Sequence, residues 1–489
     1  MIIPHPATLS ERGGAFTLTL STVIQASGDA FPQAQGLAHC LRPATGFALE
    51  LTEMSTELSR QPSTEPRIEL NLAPALEALG PEGYRLEVSS ERVLLGAATP
   101  AGPFYAVQSL RQLLPPTIFS PATVPDTTWT IPGVVIEDRP RFAWRGAMLD
   151  CAQHFWPVPY IKKFLDILAL HKISVFHWHR TDDQGWRLEV NKYPRLTEVG
   201  AWREKTLVGH NNDEPRRFDE TRYGGFYSQN DVREIVAYAA ERFITVIPEI
   251  ELPGHATAAI AAYPELGNGG VPEVQGVWGI HEWLFNPQES TLTFLKDVFA
   301  EVIELFPSPF VHVGGDEARK REWQESEAVQ AHIKELGLKD EDELQSYFIQ
   351  TIDHFLSGHG RRLVGWDEIL EDGLAEGATV MSWRGEAGGI EATKAGHDVV
   401  MVSKTHTYLD YYQSEDQANE PLAIHGLIPL ETAYYYDPIP ESLNSSEAIR
   451  VLGSQAQLWT EYISKAEKLE YIAFPRLTAL SEVFWRPSK

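Results

Sequence analysis

The sequence predicts an α/β protein, a (β/α)8 TIM barrel preceded by a smaller α+β domain. Three observations carry this expectation. From Phe142 onward, short apolar segments alternate with amphipathic ones, the order of a parallel sheet with crossover helices. The alternation runs for roughly 350 residues, which suits a barrel with insertions. The polar clusters also follow the strand-like segments, and the carboxyl ends of barrel strands are where active sites gather. The domains are expected at residues 1–138 and 139–489, with a doubly wound open sheet as the alternative architecture for the second.

In the first domain, Phe16–Leu20 and Tyr84–Val88 alternate apolar and polar side chains, as half-buried strands do. Phe104 to Leu114 carries apolar residues at helical spacing. Pro115, Pro116, Pro121, Pro125 and Pro132 then crowd one passage, which reads as the linker.

The barrel opens with a strand at Ala147–Leu149. Val158, Ile161, Phe164, Leu165 and Leu168 share one helix face, and Ile173–Trp178 is the next strand. Val232, Ile235, Val236 and Ala239 mark another helix, before a strand at Ile244–Ile247. A further helix is well signalled, with Asn286 as its cap, Pro287 in its first position and Glu289 closing a capping box. Its buried face would be Leu292, Leu295, Val298, Phe299, Val302 and Phe306. Strands follow at Phe310–His312, Leu363–Val364, Thr379–Met381, Val399–Met401 and Val451–Leu452. Polar clusters stand after four strands, at Thr181–Gln184, Glu249–His255, Asp316–Glu317 and Gly365–Glu368.

Composition narrows the function. With 489 residues, 43% hydrophobic and 10% aromatic, the chain can bury a large core, and its 13 tryptophans suit sugar faces as well as protein interiors. A formal charge of −27 argues against nucleic acid or an anionic membrane as partner, since both call for basic patches. The two cysteines, Cys40 and Cys151, leave no disulfide framework and no cysteine-ligated zinc site. No stretch reads as a transmembrane run, and the amino terminus lacks a charged region followed by a long apolar one. A cytoplasmic location is expected, or a secreted or periplasmic one with the leader removed.

The most telling segment is His312-Val313-Gly314-Gly315-Asp316-Glu317. The apolar Pro309–Val311 leads into it, and two glycines let the chain turn sharply as the strand ends. Asp316 and Glu317 would then leave one strand end in different directions. A charged neighbour and partial burial can keep one such acid protonated while the other stays ionised. Glycosidic bond cleavage needs that division: one acid protonates the leaving oxygen and another manages positive charge. A solvated acidic turn is the plain alternative for an isolated Asp-Glu pair; the flanking pattern argues against it.

The chain resembles the glycoside hydrolase family 20 β-N-acetylhexosaminidases over nearly its whole length. The likeness includes Arg145–Asp150, the stretch from His177-Trp178-His179 to Asp182–Arg187, Pro253–His255, and His312 to Glu317. It continues through Val364–Trp366, Thr407–Asp410 and Leu458–Glu461. The resemblance implies exo-hydrolysis of terminal β-linked GlcNAc or GalNAc with retention. It implies that Glu317 is general acid and then base, and that the substrate's acetamido oxygen attacks the anomeric carbon, giving an oxazolinium intermediate. Asp316 would accept the acetamide N–H and stabilise its charge. Tyr408 would aim the acetamido oxygen, which, being tethered, needs only orientation. Trp366, Trp383 and Trp459 match the aromatic walls around the terminal sugar, and Asp410 and Glu461 match its hydroxyl acceptors. Asp182 and His255 match the polar network behind the acid. Oligosaccharides or glycoconjugates ending in N-acetylhexosamine are the implied partners, with no cofactor and no metal.

Two departures stand out. The family usually has an arginine, gripping sugar hydroxyls, where this chain has Gln153. Losing charge assistance there would weaken binding by about 1–2 kcal/mol. Arg180 stands where an apolar residue is common, and strand periodicity puts it on the side of Asp182. It is therefore expected to supply the missing guanidinium, unless the site takes a different sugar. Glu251 replaces a usual aspartate. Three rival readings remain. His177-Trp178-His179 could bind metal, but no second well-placed histidine pair and no bridging lysine accompany it. A carbohydrate-binding protein with weak or no turnover would fit Gln153, against the intact Asp316, Glu317 and Tyr408. A retaining β-glycosidase with its own nucleophile would cleave sugars lacking the acetamido group. Gly267-Asn268-Gly269-Gly270 lacks dinucleotide-binding spacing. The sequence leaves the epimer preference, the natural glycan and the oligomeric state open, a homodimer included.

Overall fold

The computed structural model describes residues 2–54, 66–371 and 373–487. Contacts divide it into two compact units. One is Met1–Ala143 with Ala169–Lys172 and Ser481–Lys489; the other is Trp144–Leu168 with Ile173–Leu480.

The first unit holds a seven-stranded sheet. Its strands are β1 (Thr8–Thr17), β2 (Val23–Ala26), β3 (Glu50–Glu53), β4 (Arg67–Leu72), β5 (Tyr84–Val88), β6 (Arg92–Ala97) and β7 (Thr130–Asp138). They lie in the order β1-β7-β5-β6-β4-β2-β3. Along β5, Tyr84, Leu86 and Val88 are buried while Arg85 and Glu87 are not, so the alternation read from the sequence marks a core face. Helices Phe31–Thr45 and Ala101–Leu113 lie against this sheet.

The proline-rich passage is not a linker. It forms a short 3-10 turn at Pro116–Phe119 and then enters β7, which pairs with both β1 and β5. Pro132 sits opposite Ala15, where the β1 register is interrupted between Glu11 and Ala15. An irregularity of this kind is one place where a sheet accepts a residue that cannot donate a hydrogen bond.

The second unit is a closed barrel of parallel strands. They are β8 (Trp144–Asp150), β9 (Val175–His179), β10 (Thr245–Leu252), β11 (Phe310–Gly314), β12 (Arg362–Trp366), β13 (Thr379–Ser382), β14 (Val399–Met401) and β15 (Val451–Ala456). β15 pairs with β8, Gly453 opposite Trp144, which closes the sheet and removes the open-sheet alternative. Trp144, Val175, Ile247, Val364, Trp366, Met381 and Val400 form an apolar cluster.

One helix begins later than its sequence signals. It runs Glu289–Leu305 with Gln288 at the cap position. Asn286 instead braces the loop before it. Its Oδ1 accepts from the Gln288 amide at 3.1 Å and the Thr291 hydroxyl at 2.7 Å, and its Nδ2 donates to the Glu265 and Gly267 carbonyls. Neighbouring carbonyls claim the amide, so the asparagine serves the loop first. Leu292, Leu295, Val298, Phe299 and Val302 are buried, as the periodicity requires, and Phe306 follows just past the end. Among the described residues, no helix is long and apolar enough to cross a membrane.

Candidate active site

A cleft of about 340 Å³ opens at the carboxyl ends of the barrel strands. Gln153, Asp182, His255, Asp316, Glu317, Trp366, Trp383, Tyr408, Asp410, Trp459 and Glu461 all line it. Apart from Arg180, every residue assigned above to catalysis or sugar binding therefore meets in one place. Each comes from the end of a strand or the segment just after it, so the closure of the barrel gathers them from across the sequence.

The end of β11 shapes one wall. Gly314 and Gly315 take left-handed backbone, at φ 68° and 95°. A Cβ on Gly314 would lie 1.7 Å from Glu251 Oε2, and one on Gly315 would lie 2.6 Å from Ile369 Cγ2. Neither position admits a side chain. Glu317 is itself left-handed at φ 50°, and so is His255 at φ 48°. Non-glycine residues held in such conformations cost on the order of 1–3 kcal/mol each and collect at functional sites. These two approach one another: His255 Nε2 lies 3.7 Å from Glu317 Oε2 and 3.8 Å from Asp316 Oδ2.

A line of alternating charges runs inward from that contact. His255 Nδ1 lies 3.0 Å from Asp182 Oδ1 and 3.1 Å from Asp183 Oδ2. Asp183 is held by the Thr257 amide and hydroxyl. Asp182 Oδ2 accepts from Gln153 Nε2 at 3.2 Å and stands 3.4 Å from His179 Nε2. His179 Nδ1 in turn bonds Glu249. Glu249 accepts the Trp366 indole N–H at 3.1 Å and also faces His177 and His312, at 3.1 and 2.7 Å.

The electrostatics follow from these contacts. Burial alone would raise the Asp182 carboxyl, but His255 and His179 outweigh it and hold the group well below its ordinary value. Glu249 is lowered against its burial by His312, His179 and His177. His255 and His179 are raised well above the usual histidine range, against their burial, chiefly by Asp182 and by Glu249 respectively. Burial pushes Asp316 up to about 7, with His255 opposing and Glu317 adding to the rise. Burial, Asp316 and Glu249 together keep Glu251 well above a normal carboxylate. Burial thus biases Asp316 toward its protonated form.

Aromatic residues form the rest of the cleft. Trp383 and Tyr408 stack with centroids 6.2 Å apart and planes 24° from parallel. Trp366 and Trp459 are 6.1 Å apart, and the Trp383 indole is fixed by Glu368 at 2.9 Å. Tyr408 is buried, and its hydroxyl feels the charges of both Asp410 and Asp316.

Arg180 is not in the cleft. Its guanidinium carbon lies 4.6 Å above the Phe306 ring and 5.0 Å from the Trp178 ring, fully buried. Trp178 and Arg180 share a side that packs against Phe306, just past the Glu289–Leu305 helix, whereas His177 and His179 contact Glu249. The expectation failed because β9 ends at His179 and the chain enters a short antiparallel hairpin, Thr181–Asp182 with Gly185–Trp186. Strand parity does not carry across such a break. Among the described residues that line the cleft none is an arginine, so Arg180 does not replace the charge absent at Gln153.

Sequence alone singles out neither Glu249 nor a partner for the His177 and His179 pair. Barrel closure supplies one, with the His312 ring 4.5 Å from that of His177. His179, Glu249 and His312 sit at one level of three neighbouring strands, as direct register partners. Polar residues inside otherwise apolar strands were the available signal. His177, Glu249 and His312 are the ligand types of a metal site. Glu249, however, is already hydrogen-bonded by His179 and Trp366, and His177 Nδ1 accepts from Gln455. We assign the cluster to the hydrogen-bonded core beneath the cleft.

Residues 142–488 match the model for the glycosyl hydrolase family 20 catalytic domain, and residues 1–139 match that family's domain 2. A β-hexosaminidase of Porphyromonas gingivalis is 45% identical over 492 aligned residues, covering 99% of this chain. The chain spans 60% of the length of that relative. A β-hexosaminidase of Vibrio furnissii is 35% identical over 98% of this chain and 76% of its own. Among solved structures, a family 20 β-N-acetylhexosaminidase of Streptomyces coelicolor superposes with a TM-score of 0.83 at 33% identity. That match covers all of this chain and 91% of the other.

Proposed function

The chain belongs to glycosyl hydrolase family 20, and from that premise we propose that it is an exo-acting β-N-acetylhexosaminidase that retains anomeric configuration by substrate-assisted catalysis. The observation that carries the reading is the approach of one imidazole, His255, to both Asp316 and Glu317 within a tryptophan-lined cleft.

Glu317 donates its proton to the glycosidic oxygen as that bond breaks. The substrate's acetamido oxygen forms a new bond to the anomeric carbon, giving an oxazolinium ion, and the aglycone leaves as the alcohol. Glu317, now a carboxylate, takes a proton from water as that water attacks the anomeric carbon from the face the aglycone left. The carbon–oxygen bond of the ring opens and the acetamide is restored. Two displacements at one carbon retain its configuration.

Asp316 accepts the acetamide N–H. Burial pushes its carboxyl up to about 7 in the free cleft, and positive charge developing on the nearby amide favours the ionised form when it is needed. Tyr408 orients the acetamido oxygen, and the stacked Trp383 holds the tyrosine ring in place. The line from Glu249 through His179 and Asp182 keeps His255 protonated, so a positive charge sits beside both acids during each proton transfer.

The test is release of nitrophenol from a chromogenic β-GlcNAc substrate by the protein and by Glu317→Gln. Release by the first, reduced by about 10²–10⁴-fold in the second, supports the reading. Absence of release from either leaves a sugar-binding protein instead.

A further inference from the structure

A segment with no part in the bond-breaking chemistry ties the outer rim of the cleft together. Trp366 and Asp410 lie buried in the interior of the cleft. Gly279, Ile280, Ile424 and His425 line it at its open end, where Gly279 and His425 are exposed and the two isoleucines half-buried. A group attached to a sugar held in the interior leaves past these four residues. His425 packs on Tyr411 with ring centroids 5.0 Å apart. The rim therefore presents aliphatic and aromatic surface, which suits the C–H face of a sugar ring.

A hairpin joins the two loops that form this rim. Leu207–Val208 pairs antiparallel with Arg217–Phe218. At its tip the Asp213 amide donates to the His210 carbonyl at 2.9 Å, and the Asp213 carboxylate accepts from the His210 amide at 2.9 Å. The tip reaches one rim loop through Asn211, whose Nδ2 donates to the Trp278 carbonyl at 3.1 Å. It reaches the other through His210. His210 Nδ1 accepts from the Asn212 amide at 3.1 Å. A neutral imidazole that accepts at Nδ1 carries its proton on Nε2, and here Nε2 donates to the Ile424 carbonyl at 2.8 Å. The ring also stacks on Tyr462, centroids 5.2 Å apart and planes 10° from parallel, and the Tyr462 hydroxyl accepts from the Asn211 amide at 3.1 Å. Tautomer and ring plane are thus both set for the bond to Ile424. The hairpin lies outside every stretch that carries the family resemblance.

We propose that His210 is a specificity-determining positioning residue: by holding Ile424, and with it His425, at the rim, it favours substrates whose leaving group is a second sugar ring over those whose leaving group ends short of the rim. The inference rests on the hexosaminidase reading and refines its substrate class. A second sugar gains from a rim already held in shape before it arrives, because little ordering is left to be done on binding. A methyl aglycone does not extend to the rim and gains nothing from it.

Steady-state kcat and KM for a β-1,4-linked GlcNAc disaccharide and for methyl β-GlcNAc, in the protein, in His210→Ala and in His210→Gln, test this. In His210→Ala the disaccharide KM is expected to rise about tenfold with kcat changed less than about twofold, while both constants for the methyl glycoside stay within about twofold. His210→Gln, whose amide can donate to the same carbonyl, is expected to restore most of the disaccharide KM. The proposal is overturned if KM rises equally for both substrates, or if the disaccharide KM does not move. Failure of the unaltered protein to cleave either substrate would sink the proposed activity instead. Calorimetric affinities for the same two ligands, compared between the protein and His210→Ala, then decide the present point: a selective loss for the disaccharide supports it, and an equal loss or none overturns it.

Discussion

His255 touches the aspartate of one loop and the glutamate of another: Nδ1 lies 3.0 Å from Asp182 Oδ1, and Nε2 lies 3.7 Å from Glu317 Oε2. The backbone of His255 is left-handed to make this reach. Asp183, Asp316 and Glu251 are the other acids acting on the ring. Asp182→Asn removes the charge that most strongly raises the histidine, so the proton leaves at lower pH. We predict that the alkaline limb of kcat/KM moves to lower pH in this variant. His255→Asn is the substitution of choice at the histidine, because asparagine tolerates its backbone angle. It should lower kcat/KM by about tenfold or more and, by leaving Asp182 without its partner, lower the thermal midpoint as well. An unmoved pH profile in Asp182→Asn would contradict the relay.

The buried acids also predict how stability depends on pH. Asp316 and Asp410 are pushed up to about 7 and Glu368 to about 8, burial being the main cause in each. In the unfolded chain they titrate near 4. A carboxyl raised by folding adds stability that is complete below its unfolded value and is lost as pH rises through its folded one. His179 and His255, raised by their partners, act in the same direction. Asp182 and Glu249 are lowered, so their contribution is lost only in acid. The thermal midpoint should therefore peak near pH 5 and fall toward pH 8, a change on the order of a few kcal/mol. Asp410→Asn should flatten the decline. A midpoint that rises from pH 5 to pH 8 would refute this assignment.

Gly314 carries a steric prediction. Alanine would place a methyl group 1.7 Å from Glu251 Oε2 on left-handed backbone. Gly314→Ala should destabilise by more than about 2 kcal/mol and displace Glu251. Equilibrium denaturation reads the first effect, and loss of activity at temperatures where the variant remains folded reads the second. A near-neutral outcome would mean that the glycines do not set the position of the acids.

Arg180 separates packing from sugar binding. Its buried guanidinium has no hydrogen-bond partner among the described residues and is pushed down to about 9 by burial. Replacing a buried, unpaired charge with an apolar side chain of similar length is neutral or stabilising. Arg180→Met should therefore hold or raise the thermal midpoint and leave KM for the chromogenic substrate unchanged. A severalfold rise in KM alone would restore the arginine to the sugar site.

The barrel was legible because each strand is a short apolar run bounded by turn residues, and the cleft because the polar residues follow those runs. Val175–His179 and Phe310–Gly314 show both features. What the pattern could not carry were relationships set by closure or by breaks in regular structure. Arg180 was misplaced because parity was extended past the end of a strand. Pro132 suggested a linker because a proline beside a register shift looks the same in sequence as one in a loop. Asn286 has the composition of a helix cap, yet the loop carbonyls of Glu265 and Gly267 claim its side chain. Glu249 and His312 become partners only when β10 and β11 lie side by side.

In the proposed reaction the substrate's own acetamido oxygen is the nucleophile. Its participation is tested by kcat/KM across a series of β-glycosides whose 2-acetamido group carries zero, one, two or three fluorines. Fluorine withdraws electron density from that oxygen, so the account predicts a steep, progressive fall in rate across the series. A rate indifferent to fluorination would mean that the attacking atom belongs to the protein or to water.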